Sequence, residues 1–390
     1  MKKIVHVCLA GSYNDGWTYH DNLLSEYHKE LGHDVTLVTS PFVNDTDSDK
    51  YLFYKTGEYV NEFGIKIIRL PLKFSNSSKV MLKLRMYVGL ERVLESEKPD
   101  IIFVHCGQFI DLKKVVNYVK RYNNVTLYID NHADFSNSAR TWFSYYIMHK
   151  CLWRSVIRKS IPYVKKYYGV LPARVEFLEQ MYGIPSDKLE LLVMGADDRM
   201  VAQALRPDTI DNTKKKYHIK RDDFVIATGG KIDRAKWQIM TLLKIINGEN
   251  QRKYKLIFFG PIVEDMKNEV LRYVDENKIL YVPWLDSAES YNLFAISDLA
   301  VFPGRHSVYW EQAVGQGVPI IVKRWRGTEH VDLGGNCIFL NSDEEEELKN
   351  KIAGIYDDRT LLKRMKSVAI DKGMNKFSYR MIAKKSIEMK

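Results

Sequence analysis

Along this chain, short runs of consecutive apolar residues alternate with stretches in which apolar positions recur at helical spacing, the patterns of buried strands and amphipathic helices. Residues 3–9 read as a first strand, 17–30 as a helix with Leu23, Leu24, Tyr27 and Leu31 on one side, and 34–39 as the next strand. Gly32-His33 between them is a helix stop. Strands at 64–70, 101–105 and 125–130 and helices at 80–95 and 112–121 continue the alternation, and a first unit closes near residue 192. The polar stretch 196–220, with Pro207, Asp208 and Lys214-Lys215-Lys216, reads as a crossing between domains. The pattern then repeats, with strands at 224–228, 255–259, 279–282 and 299–302 and helices from 237, over 264–276 and from 287. The acidic run 343–347 after Ser342 reads as the negative first turn of a capped helix.

Such alternation implies parallel sheets covered by helices. The expected fold is α/β, with two Rossmann-like, doubly wound parallel-sheet domains, residues 1–195 and then 196–372, followed by a C-terminal segment 373–390. Ligands of such sheets bind outside the carboxyl ends of the strands, which makes a cleft between the two domains the expected site.

The composition agrees with two buried cores: 390 residues, 45% apolar and 28% charged. Cys8, Cys106, Cys151 and Cys337 are scattered, and no apolar leader precedes Met1-Lys2-Lys3, so a reduced, cytoplasmic protein is expected. A net charge of +10 points to an anionic partner. Residues 140–168 concentrate it: Arg140, Lys150, Arg154, Arg158, Lys159, Lys165 and Lys166, with no acid, lie among Trp142, Phe143, Tyr145, Tyr146 and Trp153. That mixture fits two readings, a peripheral face on an anionic membrane or a core helix with a solvated basic side. No apolar run approaches the roughly 20 residues of a bilayer span.

Candidate chemistry gathers in residues 225–320. A strand ends in Gly229-Gly230-Lys231, a second lysine follows at Lys236, and Gly304-Arg305-His306-Ser307-Val308-Tyr309-Trp310-Glu311 leads into a helix before Gly317-Val318-Pro319. Paired cations, free amides at a helix start and a carboxylate for ribose hydroxyls are what a sugar nucleotide with a diphosphate needs. In the first half, Gly11 to Gly16 follow the first strand and fit a loop that lets backbone approach a phosphate or sugar. Asp130-Asn131-His132-Ala133-Asp134 ends another strand, and His132 could hydrogen-bond a hydroxyl or a phosphate oxygen.

In the order and spacing of these segments, over nearly its whole length, the chain resembles GT-B glycosyltransferases of the retaining family 4 type, similar to bacterial enzymes that assemble capsule or surface polysaccharide. The resemblance implies that Lys231 and Lys236 neutralise the donor diphosphate, a lysine standing where the family has arginine at 231, and that no metal is required. It matches Glu311 to the acceptor of ribose hydroxyls and His132 to the group against the donor sugar. Gly11, Gly16, Gly230, Val282, His306, Ser307 and Val308 are the expected further donor contacts, Val282 meeting the base through backbone, and Asp134 and Asn137 the acceptor contacts. The expected reaction transfers a sugar from a nucleotide donor, a UDP-sugar, to a hydroxyl of a glycan or lipid-linked acceptor with retention and without a protein nucleophile.

A second position departs from the family pattern: Pro303 stands eight residues before Glu311, where the first motif glutamate belongs. That departure motivates a second reading, a catalytically silent glycan-binding subunit that supports a partner glycosyltransferase. A metal-dependent GT-A transferase using Asp45, Asp47 or Asp49 is a third reading. Nucleic-acid binding would account for the net charge but lacks a helix-turn-helix, zinc or RNA-recognition signature.

Overall fold

Strand order reverses once in each of two parallel sheets, and those reversals place the candidate residues. The structure, a computed structural model, describes residues 1–45, 51–73 and 83–389. Two units divide the chain, one of Met1–Val193 with Ile382–Lys390 and one of Met194–Met381.

The first unit is built on β1 (Lys3–Cys8), β2 (Asp34–Thr39), β3 (Phe42–Asn44), β4 (Tyr51–Phe53), β5 (Gly57–Val60), β6 (Lys66–Arg69), β7 (Ile101–His105), β8 (Thr126–Asn131), β9 (Val164–Gly169) and β10 (Leu189–Leu191). Eight of them form one sheet in the order β10-β9-β8-β7-β1-β2-β6-β5, while β3 and β4 pair as a separate antiparallel ribbon. Among the described residues, only the edge pair β5–β6 of the large sheet is antiparallel. Alternation along the strands gives the two faces different contents. Val5, Val7, Ile102, Val104, Leu127 and Ile129 share one apolar cluster. The intervening positions put His6, Phe103, His105, Tyr128 and Asp130 on the other face, all buried.

The second unit holds β11 (Phe224–Gly229), β12 (Tyr254–Phe259), β13 (Ile279–Val282), β14 (Leu299–Phe302), β15 (Ile320–Lys323) and β16 (Cys337–Leu340). All are parallel, in the order β13-β12-β11-β14-β15-β16, the doubly wound arrangement with its switch point between β11 and β14. Buried Phe, Ile, Leu and Val dominate these strands, as expected where helices cover both faces.

Element identities follow the sequence pattern, while several ends differ. The first helix begins at His20 rather than residue 17, after an extended Tyr19. The helix expected over 80–95 covers Leu90–Glu97, entered through Gly89 in a left-handed conformation (φ 95°); residues 80–82 lie outside the described residues, as do Asp47 and Asp49. The polar stretch after residue 196 is helical, as Asp198–Ala204 and Pro207–Lys216. There local capping outweighs a polar composition: the Asp197 side chain accepts from Arg199 N, Pro207 occupies the first turn, and Lys214–Lys216 meet the negative helix end. Residues Phe143–Trp153 wind as a π-helix that runs into the α-helix Arg154–Arg158. Among the described residues no helix is long and apolar enough to cross a membrane.

The helix Tyr309–Gly315, which bears Glu311, lies against the long helix Arg359–Phe377 with almost no space between backbones. A Cβ on Gly373 would overlap the Val314 carbonyl oxygen, and one on Gly317 (φ 81°) would crowd Ile370. Gly373→Ala is expected to destabilise the second unit by about 1–3 kcal/mol through overpacking, read as a lower midpoint in urea unfolding.

Candidate functional site

In the second unit the end of β11 approaches the neighbouring strand as closely as backbone allows. A Cβ on Gly229 would overlap the Phe259 ring, and one on Gly260 would overlap the Gly230 carbonyl. Gly230 itself has φ 107°, a conformation that suits glycine. The chain then turns through Arg234–Lys236, capped by the Asp233 side chain accepting from Ala235 N at 2.9 Å. Gly230, Lys231, Lys236, Pro303, Gly304 and Arg305 line one hollow at the β11/β14 switch point. An ideal Cβ on Gly230 would stand 3.4 Å from Lys236 Nζ and 3.5 Å from Ser307 Oγ, so a glycine, an ammonium and a hydroxyl share one small space.

Lys236 is half-buried, and its ammonium makes no hydrogen bond or ion pair among the described residues. Burial pushes its pKa down, with Asp233 opposing. A partly desolvated cation without an ion pair among the described residues favours an anionic ligand. Val282 is half-buried at the end of β13, its carbonyl accepting from Gly260 N at 3.1 Å, and Val308 is exposed at the start of the Glu311 helix. Neither lines the hollow.

Glu311 is fully buried, and its carboxylate accepts from two imidazoles. His306 Nε2 donates at 2.9 Å to Oε1 and 3.2 Å to Oε2, and His330 Nε2 at 2.8 Å to Oε1. Burial alone would raise this acid; His306 and His330 outweigh it and hold the pKa down to about 2. Sequence reasoning missed His330, which follows β15 and reaches Glu311 only through the fold. Its Nδ1 is buried without a hydrogen-bond partner among the described residues.

In the first unit Asp130 and His132 stand at and just beyond the end of β8. Asp130 is fully buried, with Oδ2 accepting from His105 Nδ1 at 2.7 Å and Oδ1 from Cys106 N at 3.0 Å. Half-buried His132 faces it across 3.6 Å, and His20 across 3.7 Å. Asp134 and Asn137 build the loop that follows. Asp134 Oδ1 accepts from Ser136 N and Asn137 N, and Asn137 Nδ2 donates to the His132 carbonyl at 2.8 Å. The Gly11–Gly16 loop has exposed ends, but Arg69 anchors its middle, donating to the Tyr13 carbonyl at 2.9 Å.

Among the described residues, two groups bring ligand atoms of the kind that hold divalent cations within 4.8 Å of one another: His20, Asp130 and His132, and His306, Glu311 and His330. In each the carboxylate already accepts from N–H donors at hydrogen-bond distance. Both are therefore assigned as hydrogen-bonded carboxylates.

Solved structures share this architecture. A glycosyltransferase from Rickettsia africae ESF-5 superposes with a TM-score of 0.69 at 17% identity, covering 99% of this chain and 97% of that one. Anabaena Alr3699/HepE in complex with UDP and glucose gives 0.66 at 12%, covering 100% and 99%. WaaG, a glycosyltransferase involved in lipopolysaccharide biosynthesis, gives 0.65 at 12%, covering 99% of both. The chain has the GT-B glycosyltransferase fold. No family model and no curated protein matches it. In this GT-B chain the hollow at the β11/β14 switch point and the His–Glu–His group belong to the second Rossmann-like unit, and the Asp130–His132 group to the first.

The depressed acidity of Glu311 makes a pH prediction. Its folded pKa lies below the ordinary 4.5, so the associated stability is present above that pH and is lost as pH falls toward 2. Glu311→Gln is expected to cost on the order of 3 kcal/mol near neutral pH. The difference from wild type should shrink as urea unfolding is repeated from about pH 5 down to about pH 3.

Proposed function

We propose that this protein is a metal-independent, retaining glycosyltransferase that moves a sugar from a UDP-sugar to a hydroxyl of a glycan or lipid-linked acceptor. The observation that carries the reading is Lys236: a half-buried ammonium with no hydrogen bond or ion pair among the described residues, beside Gly230 and Ser307 in a hollow that Lys231 also lines. UDP in the similarly folded Alr3699/HepE supports a nucleotide donor.

In this reading the bond between the sugar and the diphosphate breaks as the acceptor oxygen bonds to the anomeric carbon on the same face, and the acceptor proton passes to a leaving phosphate oxygen. Lys231 and Lys236 stabilise the charge that develops on that phosphate. His306 yields part of its hydrogen bonding to Glu311 when ribose hydroxyls arrive, while buried His330 keeps the carboxylate in place. His132 supplies a nitrogen to the transferred sugar. A silent glycan-binding subunit is the second reading, favoured by Pro303, which lines the hollow where a carboxylate would contact the donor sugar.

A thermal-shift panel of nucleotide sugars tests donor binding. A productive donor at a hundred times its dissociation constant is expected to add about 2.7 kcal/mol of stability. Lys236→Ala should weaken that ligand about 10- to 100-fold, the worth of one hydrogen bond to a charged group. Stabilisation by no nucleotide sugar would overturn both donor binding and the enzyme. Binding without hydrolysis or transfer would favour the silent subunit.

Membrane contact belongs to the same proposal. Trp142, Phe143, Tyr146 and Ile147 are exposed, and Lys150, Arg154, Arg158 and Lys159 line an adjoining groove. Amphipathic rings beside cations suit an anionic bilayer surface at about 1 kcal/mol per basic residue. Sedimentation with phosphatidylglycerol vesicles should show binding that falls with added salt and is lost in Trp142→Ala/Phe143→Ala.

A further inference from the structure

The buried polar face of the first sheet carries a continuous line of imidazoles. His28 Nε2 lies 3.0 Å from the Ala383 carbonyl, and His28 Nδ1 lies 3.0 Å from His6 Nε2. His6 Nδ1 lies 2.9 Å from His105 Nε2, and His105 Nδ1 lies 2.7 Å from Asp130 Oδ2. His6 and His28 are inaccessible and His105 nearly so, and all three rings pack around Phe103, with centroids 5.0 to 6.4 Å from its own. These residues come from β1, the first helix and β7, and Ala383 from the C-terminal helix Tyr379–Ser386.

The ends of this line determine its proton content. A carbonyl and a carboxylate can only accept, and each neutral imidazole carries one N–H and one lone pair. Ser386 Oγ lies 2.8 Å from the Ala383 carbonyl and 2.9 Å from His28 Nε2: donating its one O–H to the carbonyl it leaves the count unchanged, whereas turned to His28 it would set its own lone pair and that of Nε2 against the carbonyl. Between two acceptors there are four links to fill and three rings to fill them. With neutral rings, one link would set lone pair against lone pair in a site closed to water. Buried polar groups rarely tolerate that.

We propose that His28, His6 and His105 hold one proton more than three neutral rings, carried by His105 against Asp130, and that this array is the positioning device that keeps Asp130 a carboxylate behind His132. From the acceptor at Ala383, His28 donates through Nε2 and accepts from His6 Nε2–H, and His6 accepts from His105 Nε2–H. His105 then needs a second N–H to meet Asp130. The resulting imidazolium–carboxylate pair is buried and neutral overall, the arrangement in which buried charges persist. Burial opposes charge on His105, but Asp130 outweighs it and raises the pKa, whereas burial pushes His6 and His28 down. The other titratable groups coupled to this pair are His20, Asp21, His132, Cys8 and Cys106. Only the use made of His132 rests on the glycosyltransferase reading; the proton count does not.

The test uses the full chain labelled with 15N at histidine, without donor or acceptor, in long-range 15N–1H spectra near pH 8. An ordinary histidine of pKa about 6.5 is charged there in only about 3% of molecules. The expected result is one imidazolium, both nitrogens protonated, whose ring protons contact Phe103. His6→Leu removes two links and lets neutral His105 satisfy Asp130 alone, so the imidazolium should be lost at the same pH. Three singly protonated rings around Phe103 in the wild-type protein would overturn the proposal, even if His6→Leu fails to fold. Because the spectrum needs no substrate and no turnover, its failure is distinct from failure of the glycosyltransferase reading.

Discussion

Where the strand order of a parallel sheet reverses, the loops leaving two adjacent strands part to opposite faces, and the carboxyl ends between them cannot be covered by a crossover helix. The second unit uses that uncovered spot for its polar chemistry. Between β11 and β14 it collects Gly230, Lys231, Lys236 and Arg305 around one hollow. In the first unit the strands flanking the reversal, β1 and β7, carry His6 and His105 on a buried face, and Asp130 stands one residue before the end of β8, the neighbour of β7.

Both units also bury a carboxylate completely and compensate it with imidazole rather than with arginine or lysine. Glu311 accepts from His306 and His330, and Asp130 from His105. Histidine suits this role because its ring can be charged or neutral at modest cost and can pass a hydrogen bond onward through its second nitrogen. The second nitrogen of His105 faces His6, and the line of contacts runs on through His28 of the first helix to the C-terminal helix.

Much of this was legible in the residues themselves. The strand at 101–105 appears with its expected bounds, and the tandem parallel architecture follows from alternating apolar runs and amphipathic stretches. The Gly229-Gly230-Lys231 turn and Lys236 could be picked out because a glycine pair after a buried strand and two nearby lysines form a local pattern. Element ends were less legible. The stretch after residue 196 reads as a crossing by composition, yet side-chain caps and a first-turn proline make it helical. His330 left no local signal, since nineteen residues separate it from Glu311.

What the sequence alone determined is whatever depends on near neighbours along the chain: strand and helix identity, the glycine turn and the basic aromatic stretch. What only the tertiary structure decided is whatever depends on partners far apart in the chain. Lys236 is left facing a hollow without an ion pair among the described residues, Glu311 is already held by two imidazoles, and His28, His6 and His105 meet in one line. The physical reason is that period and propensity act through the local backbone, whereas the state of a buried charge is set by the groups that surround it in space, and those are known only once the sheets have formed.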